Sequence, residues 1–170
     1  MRESRIAMLQ MMPIFGGVSA STLDYLLENA TIIDANRGDY FFQEDDLDNS
    51  IYILELGRVA IFRSWKSELY MLRELGAGDC FGEMALMDCK PRSAAVRALE
   101  ACRAIRITAA QLAELYEVDH QQYLLIYMNL GREVCRRLND ADSRLLQDRF
   151  SFEASGKAKP DHAQRNQQKC

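Results

Sequence analysis

Phe81-Gly82-Glu83-Met84-Ala85-Leu86-Met87-Asp88-Cys89-Lys90-Pro91-Arg92-Ser93-Ala94-Ala95 is the stretch on which the rest of the chain turns. Gly82 ahead of a short apolar helical run leaves backbone N–H groups turned outward at the helix start, where the helix field favours an anion. Arg92, one loop later, brings a planar fork of donors that a lysine could not match, and Ser93 adds a hydroxyl beside it. This is a spacing suited to gripping a sugar phosphate. Glu83 is the odd member, because a carboxylate repels a phosphate. It makes sense if it accepts hydrogen bonds from another part of a ligand, such as a ribose hydroxyl, or pairs with the arginine.

The chain around this stretch changes texture twice. Residues 2–12 carry Ile6, Met8, Leu9, Met11 and Met12, enough for a short helix that Pro13 ends or bends. Ile14-Phe15-Gly16-Gly17-Val18 makes a turn, and Ser19 or Ser21 is placed to cap a second helix through Leu26 and Leu27. From Thr31 to Thr108 short β-branched and aromatic runs alternate with turn residues, as in Thr31-Ile32-Ile33-Asp34, Tyr40-Phe41-Phe42-Gln43, Ile51-Tyr52-Ile53-Leu54 and Val59-Ala60-Ile61-Phe62. Gly57 suits the positive φ of a hairpin between the last two. Leu69 to Leu75, Ala94 to Leu99 and Cys102 to Ile107 complete the set. So many short strands predict a mainly β protein with flanking helices, an antiparallel double-stranded β-helix, or jelly roll. After Ile107 the pattern is helical. Thr108 is placed to cap one helix and Asp119 a long one, whose apolar stripe reads Ile126, Leu130, Val134, Leu138, Ala141, Leu145. Leu124, Leu125 and Met128 widen it where it should meet the barrel, and the narrow seam beyond Leu138 suits a partner helix.

These observations divide the chain into a helical segment over 1–30, a barrel over 31–108, C-terminal helices over 109–152 and a flexible polar tail over 153–170. The Gly38-Asp39 and Gly78-Asp79 turns mark the two halves of the roll.

The Phe81–Ala95 run resembles the phosphate-binding cassette of cyclic nucleotide-binding domains: Phe-Gly-Glu, a hydrophobic residue, Ala-Leu, a short loop, then Arg, a small residue and Ala. The resemblance implies that Phe81, Gly82, Glu83, Met84, Ala85, Arg92, Ser93 and Ala94 form the ligand site. Backbone N–H groups and Arg92 would take the cyclic phosphate, Glu83 the ribose hydroxyl, and Ser93 would support phosphate or base. It also implies a lid for the base on the long C-terminal helix around residues 136–142, with Asn139 and Asp142 as candidates. A regulatory cyclic AMP, or cyclic GMP, follows as the expected ligand; the serine after the arginine is compatible with either, a threonine there would have favoured the guanine ligand, and cyclic AMP is the one favoured. The region from Cys102 to Leu138, including Arg136-Arg137-Leu138, is similar to catabolite activator-like regulators, which continue into a helix-turn-helix domain; here a polar tail is expected instead. One departure stands out. The turn after the second strand commonly carries a glycine in the family, and here it reads Gln43-Glu44-Asp45-Asp46-Leu47-Asp48-Asn49. Asp and Asn tolerate the left-handed conformation, so the turn survives. Its carboxylates lack the spacing of a calcium loop and read as a solvated acidic turn.

Composition narrows the function classes. A net charge of −4 argues against broad nucleic-acid binding. No apolar run approaches the ~20 residues of a membrane span, and the N-terminus lacks a signal-peptide core, so a cytoplasmic protein is expected. Cys80, Cys89, Cys102, Cys135 and Cys170 are scattered without a Cys-x-x-Cys pair, and His120 and His162 lie far apart. Reduced thiols and no metal site are expected. Glu83 has no nucleophile or second catalytic group beside it. The expectation is a non-enzymatic sensor that forms a homodimer through its C-terminal helix and reports to a protein effector. An adaptor that keeps the fold without the ligand is the alternative, and a fragment of a transcription regulator comes after it.

Overall fold

The structure, a computed structural model, describes residues 2–154. It divides into two compact units, one up to Glu133 and one from Val134 on. In chain order the first unit has helix α1 (Arg2–Gln10), a 3-10 turn at Pro13–Phe15 and helix α2 (Ala20–Asn29). Strands β1 (Thr31–Ala35), β2 (Tyr40–Phe42), β3 (Ile51–Leu56), β4 (Arg58–Trp65), β5 (Glu68–Gly76) and β6 (Cys80–Phe81) follow. Helix α3 (Glu83–Asp88), strands β7 (Ala95–Ala98) and β8 (Cys102–Ile107), helix α4 (Ala109–Val118) and the start of α5 (His120–Ala154) close it. The segments expected separately at 1–30 and 31–108, with the first part of 109–152, thus fold as one unit.

The strands form two antiparallel four-stranded sheets, in the orders β1-β8-β3-β6 and β2-β7-β4-β5. Strand β3, inside the first sheet, buries both faces, so Ile51-Tyr52-Ile53-Leu54 reads as an unbroken apolar run. Alternate residues divide the work. Ile51, Ile53, Ile105 and Ile107 pack outward against Leu9, Phe15, Leu23, Leu26, Leu112, Leu115, Ile126 and Leu130 of the helices. Tyr52, Leu54, Cys102 and Ala104 face inward, onto Phe42, Val59, Leu75, Val96 and Ala98 of the second sheet.

The expected caps are present. Ser19, not Ser21, accepts the Thr22 N–H at 3.1 Å, Thr108 forms a reciprocal capping box with Gln111, and Asp119 accepts the Gln122 N–H at 3.1 Å. Gly57 takes φ +89°, and a Cβ there would lie 2.5 Å from the Ala101 carbonyl oxygen, so the β3–β4 hairpin admits only glycine. The first turns of α5 strap the chain between α1 and α2: Asn129 donates to the carbonyls of Ile14 (3.3 Å) and Gly16 (2.9 Å), and Gln122 accepts the Ser19 N–H at 2.8 Å.

The apolar stripe of α5 needs one correction. Ile126 and Leu130 are buried as expected, but Leu124 and Met128 point away from the barrel and are exposed. They lie on the flank opposite the strap, which Asn129 and Gln122 orient. In the second unit, taken by itself, every side chain from Leu138 to Phe150 is exposed. The helix runs to Ala154. The expected tail lies, from residue 155 on, outside the described residues.

Candidate functional site: a buried arginine and its carboxylate hub

The cassette begins on β6 and continues through α3. Gly82 sits between them in the left-handed conformation, φ +84°. A Cβ there would come within 2.6 Å of Arg92 Nη1 and 2.9 Å of the Ser50 carbonyl oxygen. Both the backbone turn and the arginine's approach therefore require glycine.

Arg92 is 1% exposed, the bulkiest of the fully buried side chains. Nη1 donates to the Gly82 carbonyl at 2.7 Å. Nη2 donates to Asp48 Oδ2 at 2.6 Å and to the Ser50 carbonyl at 2.7 Å. The guanidinium lies over the Phe42 ring, 3.9 Å from its centroid, which adds a cation–π attraction in a dry setting. Nε is buried without a hydrogen-bond partner. Main-chain bonds hold the residue on both sides: its N–H donates to the Asp46 carbonyl at 3.0 Å, and its carbonyl accepts the Asp45 N–H at 2.9 Å. Asp45 takes the positive φ, +68°, that the missing glycine would have taken.

Asp48 corrects the reading of a solvated acidic turn. Its carboxylate is turned inward and accepts from Arg92, from Arg106 Nη2 at 3.0 Å, from the Ser50 N–H and hydroxyl at 3.2 and 2.8 Å, and from the Tyr52 hydroxyl at 3.2 Å. Burial pushes its carboxyl up, but the hydrogen bonds from Arg92, Ser50 and Arg106, with the Arg92 charge, outweigh burial and hold it well below the usual carboxylate range. Arg106 also donates Nε to the Ser50 hydroxyl at 2.9 Å. Asp48, Ser50 and Arg106 were not among the expected site residues. The signal available was an aspartate four residues before a tyrosine at a strand start, and it is weak.

The remaining candidates separate. Glu83 is buried at the start of α3. The Ser93 hydroxyl lies 3.7 Å from the Met84 sulfur, and Met84 is exposed. Ala94 is half-buried and Ala85 buried. The Phe81 ring is 1% exposed and stacks on Tyr52 at 5.2 Å, so the side chain packs the barrel interior. Asn139 and Asp142 are exposed on α5 in the second unit. Among the described residues no group of His, Cys, Asp or Glu side chains is arranged to hold a metal ion. No described helix is long and apolar enough to cross a membrane.

The family model of the cyclic nucleotide-binding domain matches residues 33–119, just over half of the 170. The chain belongs to that family. The cyclic AMP receptor protein of Thermus thermophilus is 30% identical over 146 residues, covering 83% of this chain and 63% of that protein. This chain thus spans less than two thirds of that relative. A cyclic nucleotide-binding domain from Methylobacillus flagellatus has the same fold, with a TM-score of 0.78 at 20% identity over 86% of this chain and 83% of that one. The regulatory domain of Toxoplasma gondii PKA, solved with cAMP, superposes with a TM-score of 0.64 at 25% identity over 73% of this chain and 48% of that one.

Proposed function

We propose that the protein is a non-enzymatic cyclic nucleotide sensor that takes cyclic AMP in preference to cyclic GMP. One observation carries the reading: a fully buried arginine whose Nε has no partner among the described residues. A buried donor without an acceptor costs about 1–3 kcal/mol, and a phosphate oxygen is the acceptor a guanidinium fits best. Ser93 and the N–H groups of residues 82–85 complete the anion's shell, and Glu83 takes the ribose hydroxyl. Met84 and Ala94 line it. The cAMP preference draws on relatives described as a cyclic AMP receptor protein and a cAMP-bound regulatory domain, and Ser93 is compatible with either nucleotide.

Occupancy is reported through α5 to a protein effector. The exposed Leu138, Leu145, Leu146 and Phe150 support a homodimer paired along this helix, since such a row is otherwise left in water. A second reading, an adaptor that binds no nucleotide, draws on the same arginine: Asp48, Ser50 and Gly82 already engage its two terminal nitrogens.

Calorimetric titration with cyclic AMP and cyclic GMP separates the two. Micromolar binding of cyclic AMP is expected, weakened by about 2–5 kcal/mol in Arg92→Ala, to between about 30 μM and 5 mM. Circular dichroism checks that the variant is folded, and Ser93→Ala serves as a milder second variant with smaller loss. Absence of heat from either nucleotide in folded, nucleotide-free protein would move the assignment to the adaptor.

A further inference from the structure

Two open sheets have four edge strands, and an edge presents unpaired N–H and C=O groups to any other strand. Three of the four are blunted by shortness: β6 has 2 residues, β2 has 3 and β1 has 5. β5, at the edge of the second sheet, has 9. Its outer half, Glu68-Leu69-Tyr70-Met71-Leu72, is exposed throughout, and four consecutive large apolar side chains there stand half in water. No proline or central charge protects them. The charges sit at the ends and are opposite: Glu68 before the run and Arg73 after it.

We propose that β5 pairs with β5 of a second copy, antiparallel about a two-fold axis through Tyr70. In that register Tyr70 faces its own copy and Leu69 faces Met71, on the sheet side where Leu69 and Met71 neighbour Ser64 and Phe62 of β4. β5 has an irregularity at Leu72, because Met71 pairs with Phe62 while Arg73 pairs with Ile61. Glu68 therefore meets Arg73 of the other copy, at both ends of the contact, across the bulge. A strand that reads acid, four apolar residues, base is complementary to itself when reversed, and the symmetry repeats each favourable pair. The contact is independent of pairing along α5 and of nucleotide binding.

Sedimentation of purified protein carrying Leu138→Asp and Leu145→Asp, which disable the α5 row, tests it. A mass of two chains is expected, falling to one chain when Leu69→Lys and Met71→Lys are added. Both pairs of sites are exposed, so the fold is retained and circular dichroism verifies this. A second readout uses Tyr70→Cys in a Cys89→Ser, Cys135→Ser, Cys170→Ser background, treated with glutathione disulfide. Directly opposed residues lie about 4.5–5.5 Å apart at Cα, within reach of a disulfide. The two thiols join and their hydrogens reduce the reagent to two glutathione thiols. A covalent dimer is expected for Tyr70→Cys and none for Arg63→Cys, one strand further in. A single-chain mass at every concentration with β5 intact, or equal cross-linking from both cysteines, overturns the proposal.

Discussion

Two arginine–aspartate pairs in this molecule have nearly the same contact distance and opposite meanings. Arg103 donates to Asp34 at 2.7 Å between β8 and β1, with side chains 48% and 64% exposed. Arg92 donates to Asp48 at 2.6 Å, with side chains 1% and 26% exposed. Water solvates the first pair whether or not it forms, so it adds little to stability. The second pair has lost that alternative. Each partner depends on the other, and among the described residues Arg92 Nε is left buried without an acceptor. Water access, more than pair geometry, separates a surface decoration from a structural hub.

The largest test of the contrast removes the half-buried carboxylate. Asp48→Ala leaves Arg92 and Arg106 without their shared acceptor and is expected to cost on the order of 3 kcal/mol of unfolding free energy, read from urea denaturation. Asp34→Ala is expected to leave the midpoint unchanged, and an equal loss in both variants would break the comparison. Next in size is Gly82→Ala, which must hold a left-handed φ and displace the guanidinium or the Ser50 carbonyl. A loss of roughly 2 kcal/mol is expected, with nucleotide affinity falling further than stability. Wild-type affinity in a folded Gly82→Ala variant would contradict the placement of Arg92.

Acid sharpens the contrast. Because Asp48 titrates lower in the folded chain than in the unfolded one, its stabilisation is fully present above an unfolded value of about 3.9. It is lost as pH falls from there through the folded value. Urea midpoints measured downward from pH 5 are expected to drop more steeply in the wild type than in Asp48→Asn, and parallel curves would refute the hub. The smallest effect is ionic. Salt is expected to leave the Arg92–Asp48 contribution intact, since burial shields it from the ions that screen exposed pairs, as a double-mutant cycle at low and high salt would read.

Much of the fold was legible because local chemistry and tertiary demand agree. Ser19, Thr108 and Asp119 cap the helices they precede, and Gly57 turns the hairpin it was assigned. The closeness of Gly82 and Arg92 was legible too, since both answer to geometry that few residues satisfy. Three things were not. Phe81 belongs to a motif otherwise built for a ligand, yet its ring completes an aromatic core with Phe41, Phe42 and Tyr52, a long-range fact. Asp48 lies among carboxylates that look alike in sequence, and only the position of Arg92, 44 residues later, singles it out. Leu124 and Met128 have the spacing of a buried stripe, but the helix is rolled by Asn129 and Gln122, polar residues whose backbone partners lie more than a hundred positions earlier.

The main-chain bonds from Arg92 to Asp45 and Asp46 bear on how such a chain can change over generations. The arginine's main chain is moored to the turn after β2, and only its side chain reaches the Gly82 carbonyl at the start of the preceding helix. A residue gained or lost between Asp88 and Pro91 would lengthen or shorten a surface loop and leave the guanidinium where it is. The cassette's loop length is therefore open to drift, while the Asp45–Asp48 turn, plain in composition, is the part whose length inheritance must preserve.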